Sequence, residues 1–144
     1  MSDFNFESFI AKAAPRTEEV KLYPLDLSDA IDKAADAAEA AKGAEKKRLE
    51  TERDGLREQM EAAALTVKVR ALTSAQLLEL RGIEDDLDNQ AQQIVMTCAE
   101  PSFTVEQARA ILEKLPATEG SKILSKGNEL TFSEVKTPDF SPAS

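Results

Sequence analysis

Two short runs that alternate apolar and polar residues, Glu19-Val20-Lys21-Leu22-Tyr23 and Leu65-Thr66-Val67-Lys68-Val69-Arg70, stand on either side of a long Ala/Glu/Lys/Arg stretch. The alternation has the period of a half-buried strand, and the stretch between has helical periodicity. Antiparallel helices return the chain to where it left, so the two runs can pair as neighbouring strands while the helices project as an arm. This bracketing predicts a mainly α fold with a small β element: two short antiparallel strands flanking a helical-hairpin arm, then a C-terminal helical bundle and a flexible tail. The expected organisation is one mostly helical domain over 1–130, with the arm at about 28–64, and a tail over 131–144.

Inside the arm, Asp26 or Ser28 can cap the first helix, which continues through Ala34, Ala35, Ala37, Ala38, Ala40 and Ala41. Alanine has the highest helix propensity and allows close helix approach. Gly43 is the expected hairpin break, because the strands can pair only if the chain reverses. Beyond it, Leu49, Leu56, Met60 and Ala63 form a narrow apolar stripe, and Glu50 with Arg53 and Asp54 with Arg57 are spaced for helical ion pairs. Gly55 weakens this helix by about 1 kcal/mol relative to alanine.

At the N-terminus, Phe6, Phe9 and Ile10 share one face of a short helix that Pro15 ends, and they pack either on the domain or on a partner. After the second strand, Leu72–Arg81 reads as a short capped helix ending near Gly82. A longer helix is expected from Ile83 to Ala99, with Ile83, Leu87, Ala91, Ile94, Val95 and Cys98 along one side. Thr104-Val105-Glu106-Gln107 is a capping box opening a helix that carries Val105, Ala108, Ile111, Leu112 and Leu115. A last helix from about Thr118 places Ile123, Leu124 and Leu130 inward, weakened by Gly120 and Gly127. From Thr131 onward periodicity ends and two prolines follow, although Phe132, Val135 and Phe140 have the spacing of a short partner-binding motif.

Chemistry-bearing residues are sparse. The 144 residues include no histidine and a single cysteine, Cys98. Ser-His-Asp and Cys-His catalysis, His-based zinc sites and thiolate zinc sites are therefore excluded, and no intrachain disulfide can form. Five scattered glycines make neither a phosphate loop nor a dinucleotide fingerprint. Glu84-Asp85-Asp86-Leu87-Asp88-Asn89 lacks the frame of a calcium loop and reads as a solvated helix start. No catalytic site, metal or cofactor is expected. A net charge of −9 argues against nucleic-acid binding. No apolar run approaches the ~20 residues of a membrane span, and the N-terminus lacks a basic region and apolar core for secretion, so a cytosolic protein is expected.

The order of these pieces resembles the tail assembly chaperones of long-tailed phages, particularly those infecting actinobacteria. The resemblance runs over roughly Phe9 to Leu130. It rests on the lead Phe9-Ile10-Ala11-Lys12-Ala13-Ala14-Pro15-Arg16, the run Val20-Lys21-Leu22-Tyr23, a charged helical insertion, and the strand Thr66 to Leu72 leading into Ser74 to Arg81. It ends on Glu100-Pro101-Ser102-Phe103-Thr104-Val105-Glu106-Gln107-Ala108, Leu115-Pro116 and a final helix. The stretch Gln76-Leu77-Leu78-Glu79-Leu80 departs from the Arg- or Trp-centred segment common in that family, and the chain after Leu130 matches none of it.

The resemblance implies a non-enzymatic protein of the host cell cytoplasm, not retained in the mature virion. It would bind the long helical tape measure protein, keep it soluble and help recruit the tail tube protein. Contact with the client is expected on the C-terminal helices and tail, with Ile111, Leu112, Leu115, Ile123, Leu124, Leu130, Phe132 and Phe140 as candidate partner-binding residues. Self-association is a further expectation. The rival readings are a structural virion or scaffold protein acting through the arm, and an acidic inhibitor that mimics DNA.

Overall fold

The computed structural model describes residues 3–135. Its elements run α1 (Phe6–Ala11), β1 (Thr17–Leu22), α2 (Ser28–Ala40), α3 (Gly43–Ala63), β2 (Leu65–Arg70), α4 (Ser74–Arg81), α5 (Asp86–Thr97), β3 (Cys98–Glu100), α6 (Val105–Lys114) and α7 (Ala117–Phe132). The protein is mainly helical with a small antiparallel sheet in the order β1-β2-β3.

The two alternating runs pair as their period requires. β1 and β2 are antiparallel, with Val20 opposite Val67 and Leu22 opposite Leu65. Directly opposed residues share a sheet face, so Val20, Leu22, Val67 and Val69 are buried together. Glu19, Lys21, Thr66 and Lys68 occupy the opposite, exposed face. The buried face is covered by α5, α6 and α7, whose Ala91, Ile94, Ala108, Ile111, Ile123 and Leu130 complete one core.

Between the strands, α2 and α3 form a hairpin arm. The reversal depends on Gly43, whose φ of +66° is in the left-handed region that a side chain disfavours. The N-cap of α2 is Leu27, which makes no side-chain cap, so neither Asp26 nor Ser28 holds the expected position; Asp26, one residue earlier, accepts from the Ser28 N–H at 2.9 Å. In the seam, Ala34 and Ala38 of α2 are buried against half-buried Leu49, Leu56 and Met60 of α3. Ala63 of the expected stripe is exposed instead, and Arg53 is half-buried. Its guanidinium pairs with Asp54 at 3.0 Å rather than with Glu50, and Arg57 also reaches Asp54 at 4.0 Å. The 21 residues of α3 make the arm about 30 Å long.

Because arm and core meet only at the arm's base, the body is expected to fold without the arm. Replacing Ala34 to Ala62 by a short turn is expected to leave a cooperatively unfolding, helical body, measured by circular dichroism and thermal melting. Loss of the cooperative transition would make the arm part of the core.

Three expectations are corrected. The helix predicted over Ile83–Ala99 starts later, at Asp86, and stops at Thr97; Cys98–Glu100 forms a third strand beside β2, with Val69 opposite Cys98. Two forces turn the chain there. Pro101 disfavours helical geometry at Glu100, and the Thr97 hydroxyl donates to the Arg70 carbonyl at 2.6 Å, holding the end of α5 against β2. Thr131 and Phe132, placed in the expected tail, belong instead to α7, and residues 136–144 of that tail lie outside the described residues. Finally, Gly120 and Gly127 do not simply weaken α7. Both are buried, and at Gly127 a Cβ would stand 2.7 Å from the Thr97 Oγ1, so the glycine is what lets α7 approach α5.

Cys98 is buried as expected, though on a strand, and burial pushes its thiol up to about 12. Thiolate is the reactive form. Native protein at pH 8 should therefore react with an aromatic disulfide reagent at least about 100-fold more slowly than the denatured chain. Equal rates would mean that this strand opens freely.

Candidate interaction surfaces

Hydrophobic residues left in solvent concentrate at one end of the body. Asn5 caps α1 by accepting from the Ser8 N–H at 3.0 Å. None of this helix is buried: Phe4, Phe6, Phe9 and Ile10 are 73%, 60%, 60% and 49% exposed. The Phe4 ring lies 6.3 Å from Phe6 and 6.0 Å from Phe9, so the three form one small aromatic cluster held off the body. In the structure these side chains stand in solvent and do not pack on the domain. Behind the helix lies an open cleft of about 500 Å³ lined by Ala13, Ala14, Pro15, Arg70, Ala71, Leu72, Thr73 and Gln76.

The end of α7 is tied to this place. Arg16 donates to the carbonyls of Leu130 (2.7 Å), Ser133 and Glu134 (3.2 Å), satisfying acceptors that a helix C-terminus leaves unpaired. The Thr131 hydroxyl accepts from the Leu72 N–H at 2.9 Å. Exposed Phe132 and Val135 therefore emerge beside the cleft.

A second, smaller cleft of about 220 Å³ opens between α5, α6 and α7, lined by Leu87, Gln90, Ile111, Leu112, Pro116, Ala117, Gly120, Ser121 and Leu124. It accounts for part of the candidate set. Ile111, Leu112 and Leu124 are brought together along its wall, and Leu112 and Leu124 remain half-exposed. Ile123 and Leu130 are core residues at 0% and 7% exposure, so their apolar character is spent inside the fold. Leu115 packs on the core from its margin. Phe132 is 70% exposed but belongs to the other surface, and Phe140 lies outside the described residues.

Polar chemistry gathers at the arm's base. Glu61 of α3 accepts from the Tyr23 hydroxyl at 2.7 Å and from Lys21 Nζ at 2.9 Å. These hydrogen bonds, from Lys21 first and Tyr23 second, hold its carboxyl below the usual range. Lys122 sits 5.0 Å over the Tyr23 ring and donates to Glu119 Oε2 at 2.7 Å. Glu119 is 7% exposed and also accepts from the Tyr23 N–H at 3.0 Å. Burial pushes its carboxyl up, but the hydrogen bonds from Lys122 and the Tyr23 N–H outweigh burial, so the net shift is downward. Sequence reasoning missed this cluster, since Tyr23, Glu61 and Glu119 fall in three separate segments.

The acidic run at the start of α5 is absorbed by local structure. Asp85 caps the helix through the Asp88 N–H at 2.9 Å, and Asp88 pairs with Arg109. Among the described residues, no group of three or more His, Cys, Asp or Glu side chains is arranged to hold a metal ion, and no helix is long and apolar enough to cross a membrane. Compared with protein-family models, curated proteins and solved structures, the chain matches none.

Proposed function

We propose that the protein is a tail assembly chaperone of a long-tailed phage, acting without catalysis in the host cytoplasm on the tape measure protein. The reading starts from the resemblance of the segment order over Phe9 to Leu130. The observation that supports it best is the cleft between α5, α6 and α7, where Leu87, Ile111, Leu112 and Leu124 offer apolar walls beside a polar mouth. Such a cleft can take the apolar face of a client helix as a short row of anchors. An acidic exterior, at net charge −9, keeps a protein with exposed apolar surface dispersed while it holds an insoluble client. Recruitment of the tail tube protein would follow on the same complex.

Coexpression with the tape measure protein tests the reading. The wild-type chain should render that client soluble and copurify with it. Leu112→Glu with Leu124→Glu should reduce copurification by about tenfold or more, since each places a charge in the cleft. No gain in client solubility and no copurification with wild type would overturn the proposal.

A further inference from the structure

Beyond that reading, we infer that the exposed aromatic helix α1 of one chain docks in the cleft behind α1 of a second copy, giving a two-fold symmetric dimer. Knob and hole lie on the same end of every molecule. The knob is the cluster of Phe4, Phe6, Phe9 and Ile10, with no side chain of α1 buried. The hole is the cleft of about 500 Å³, with Ala13, Ala14, Pro15, Ala71 and Leu72 as apolar walls and Arg70 and Gln76 among its polar groups. That combination of apolar floor and polar rim suits aromatic side chains, and it is large enough for more than one ring.

A chain's own α1 is poorly placed to fill the hole. The helix ends at Ala11, and Lys12 alone separates it from Ala13, where the wall of the cleft begins. One residue spans less than 4 Å and cannot reverse a helix into the groove that its own linker borders. A second copy meets no such restriction. Because the same patch carries both knob and hole, reciprocal docking closes after two chains, the isologous arrangement that two-fold symmetry requires.

The area is sufficient. Three rings at these exposures and one isoleucine leave on the order of 450 Å² of apolar surface per chain. Two reciprocal dockings remove roughly 900 Å² of knob surface from solvent, and the smaller walls of the two clefts bring the total to about 1,100 Å², at the low end of specific interfaces. Arg16, next to Pro15 of the cleft wall, also fixes the end of α7 through the Leu130 carbonyl.

Sedimentation of the full chain at concentrations up to about 100 μM gives the first test. The expected species is a dimer, and Phe6→Asp with Phe9→Asp should weaken it on the order of 100-fold. Far-UV circular dichroism should barely change, because α1 has only six residues. A wild-type monomer throughout, or a dimer indifferent to both substitutions, would overturn the inference. Cross-linking gives the second test, using Phe9→Cys and Ala71→Cys in one chain, with buried Cys98 as a silent background. Mild oxidation should give covalent dimers on a non-reducing gel. A cross-linked monomer would instead show α1 in its own cleft, and absence of any cross-link would show an empty one; either outcome overturns the inference. None of these outcomes touches the client cleft, so client binding is scored separately.

Discussion

Gly127→Ala should lower the melting temperature markedly, while Gly55→Ala, the same change in another helix, should raise it. Helix propensity alone favours both by about 1 kcal/mol. At Gly55 a new Cβ meets nothing within 4 Å, so the gain is realised, about 0.5–1 kcal/mol. At Gly127 the new Cβ would stand 2.7 Å from Thr97 Oγ1 and 3.4 Å from Thr97 Cβ. Thr97 has little freedom to yield: it is 2% exposed, β-branched, and its hydroxyl is committed to the Arg70 carbonyl. Overpacking of this kind costs about 1–3 kcal/mol, and breaking the hydroxyl contact leaves a buried carbonyl short of a donor. The net expectation is a loss of about 2 kcal/mol. Adding Thr97→Ala to Gly127→Ala should return part of it, and strict additivity of the two changes would disprove the contact.

Glu119→Ala is expected to cost about 2 kcal/mol, because the Tyr23 N–H loses its acceptor and Lys122 its partner. Glu119→Gln should cost less, since an amide oxygen still accepts from the Tyr23 N–H. The pH dependence has a definite sign. A carboxyl whose folded value lies below its ordinary 4.5 contributes stability that is full above pH 4.5 and is lost as pH falls through the lowered value. The difference in melting temperature between wild type and Glu119→Gln should thus be steady near neutrality and shrink in acid. A gap that widens on acidification would show that Glu119 is held protonated by burial instead.

What the sequence revealed and what it hid divide along physical lines. Period-two runs announce strands, so the antiparallel pairing of the two runs was legible, while the register that sets Val20 opposite Val67 came only from the structure. Capping is equally local: both Thr73 with Gln76 and Thr104 with Gln107 form reciprocal boxes readable over four residues. The third strand was hidden because Ile94–Ala99 is apolar without alternation, and only the neighbouring β2 makes Cys98–Glu100 extended. Gly127 was misread for a related reason, since a propensity scale sees a helix but not Thr97 on the next one. The surfaces were partly legible. Leu112 and Leu124 stand out as apolar helix residues, yet nothing local separates them from Ile123, which packs inward with full burial. The N-terminal aromatics were conspicuous, but their exposure depends on the short linker at Lys12, which keeps α1 out of the cleft beside it.

The arm between Leu22 and Leu65 also bears on how fast the protein folds. Those two residues are the last of β1 and the first of β2, and everything numbered 23–64 must be looped out for them to meet. For a floppy segment, the entropy of closing so long a loop would delay the sheet. Two helices that zip from the turn at Gly43 towards the base shorten the effective loop to almost nothing, so β1 and β2 behave kinetically as though they were local. Weakening the turn should then slow folding more than it speeds unfolding. Replacing the arm by a tight turn should leave the rate nearly intact, and replacing it by a flexible linker of the same length should slow it. On this account the folding rate should be insensitive to the arm's length and sensitive to its ability to close.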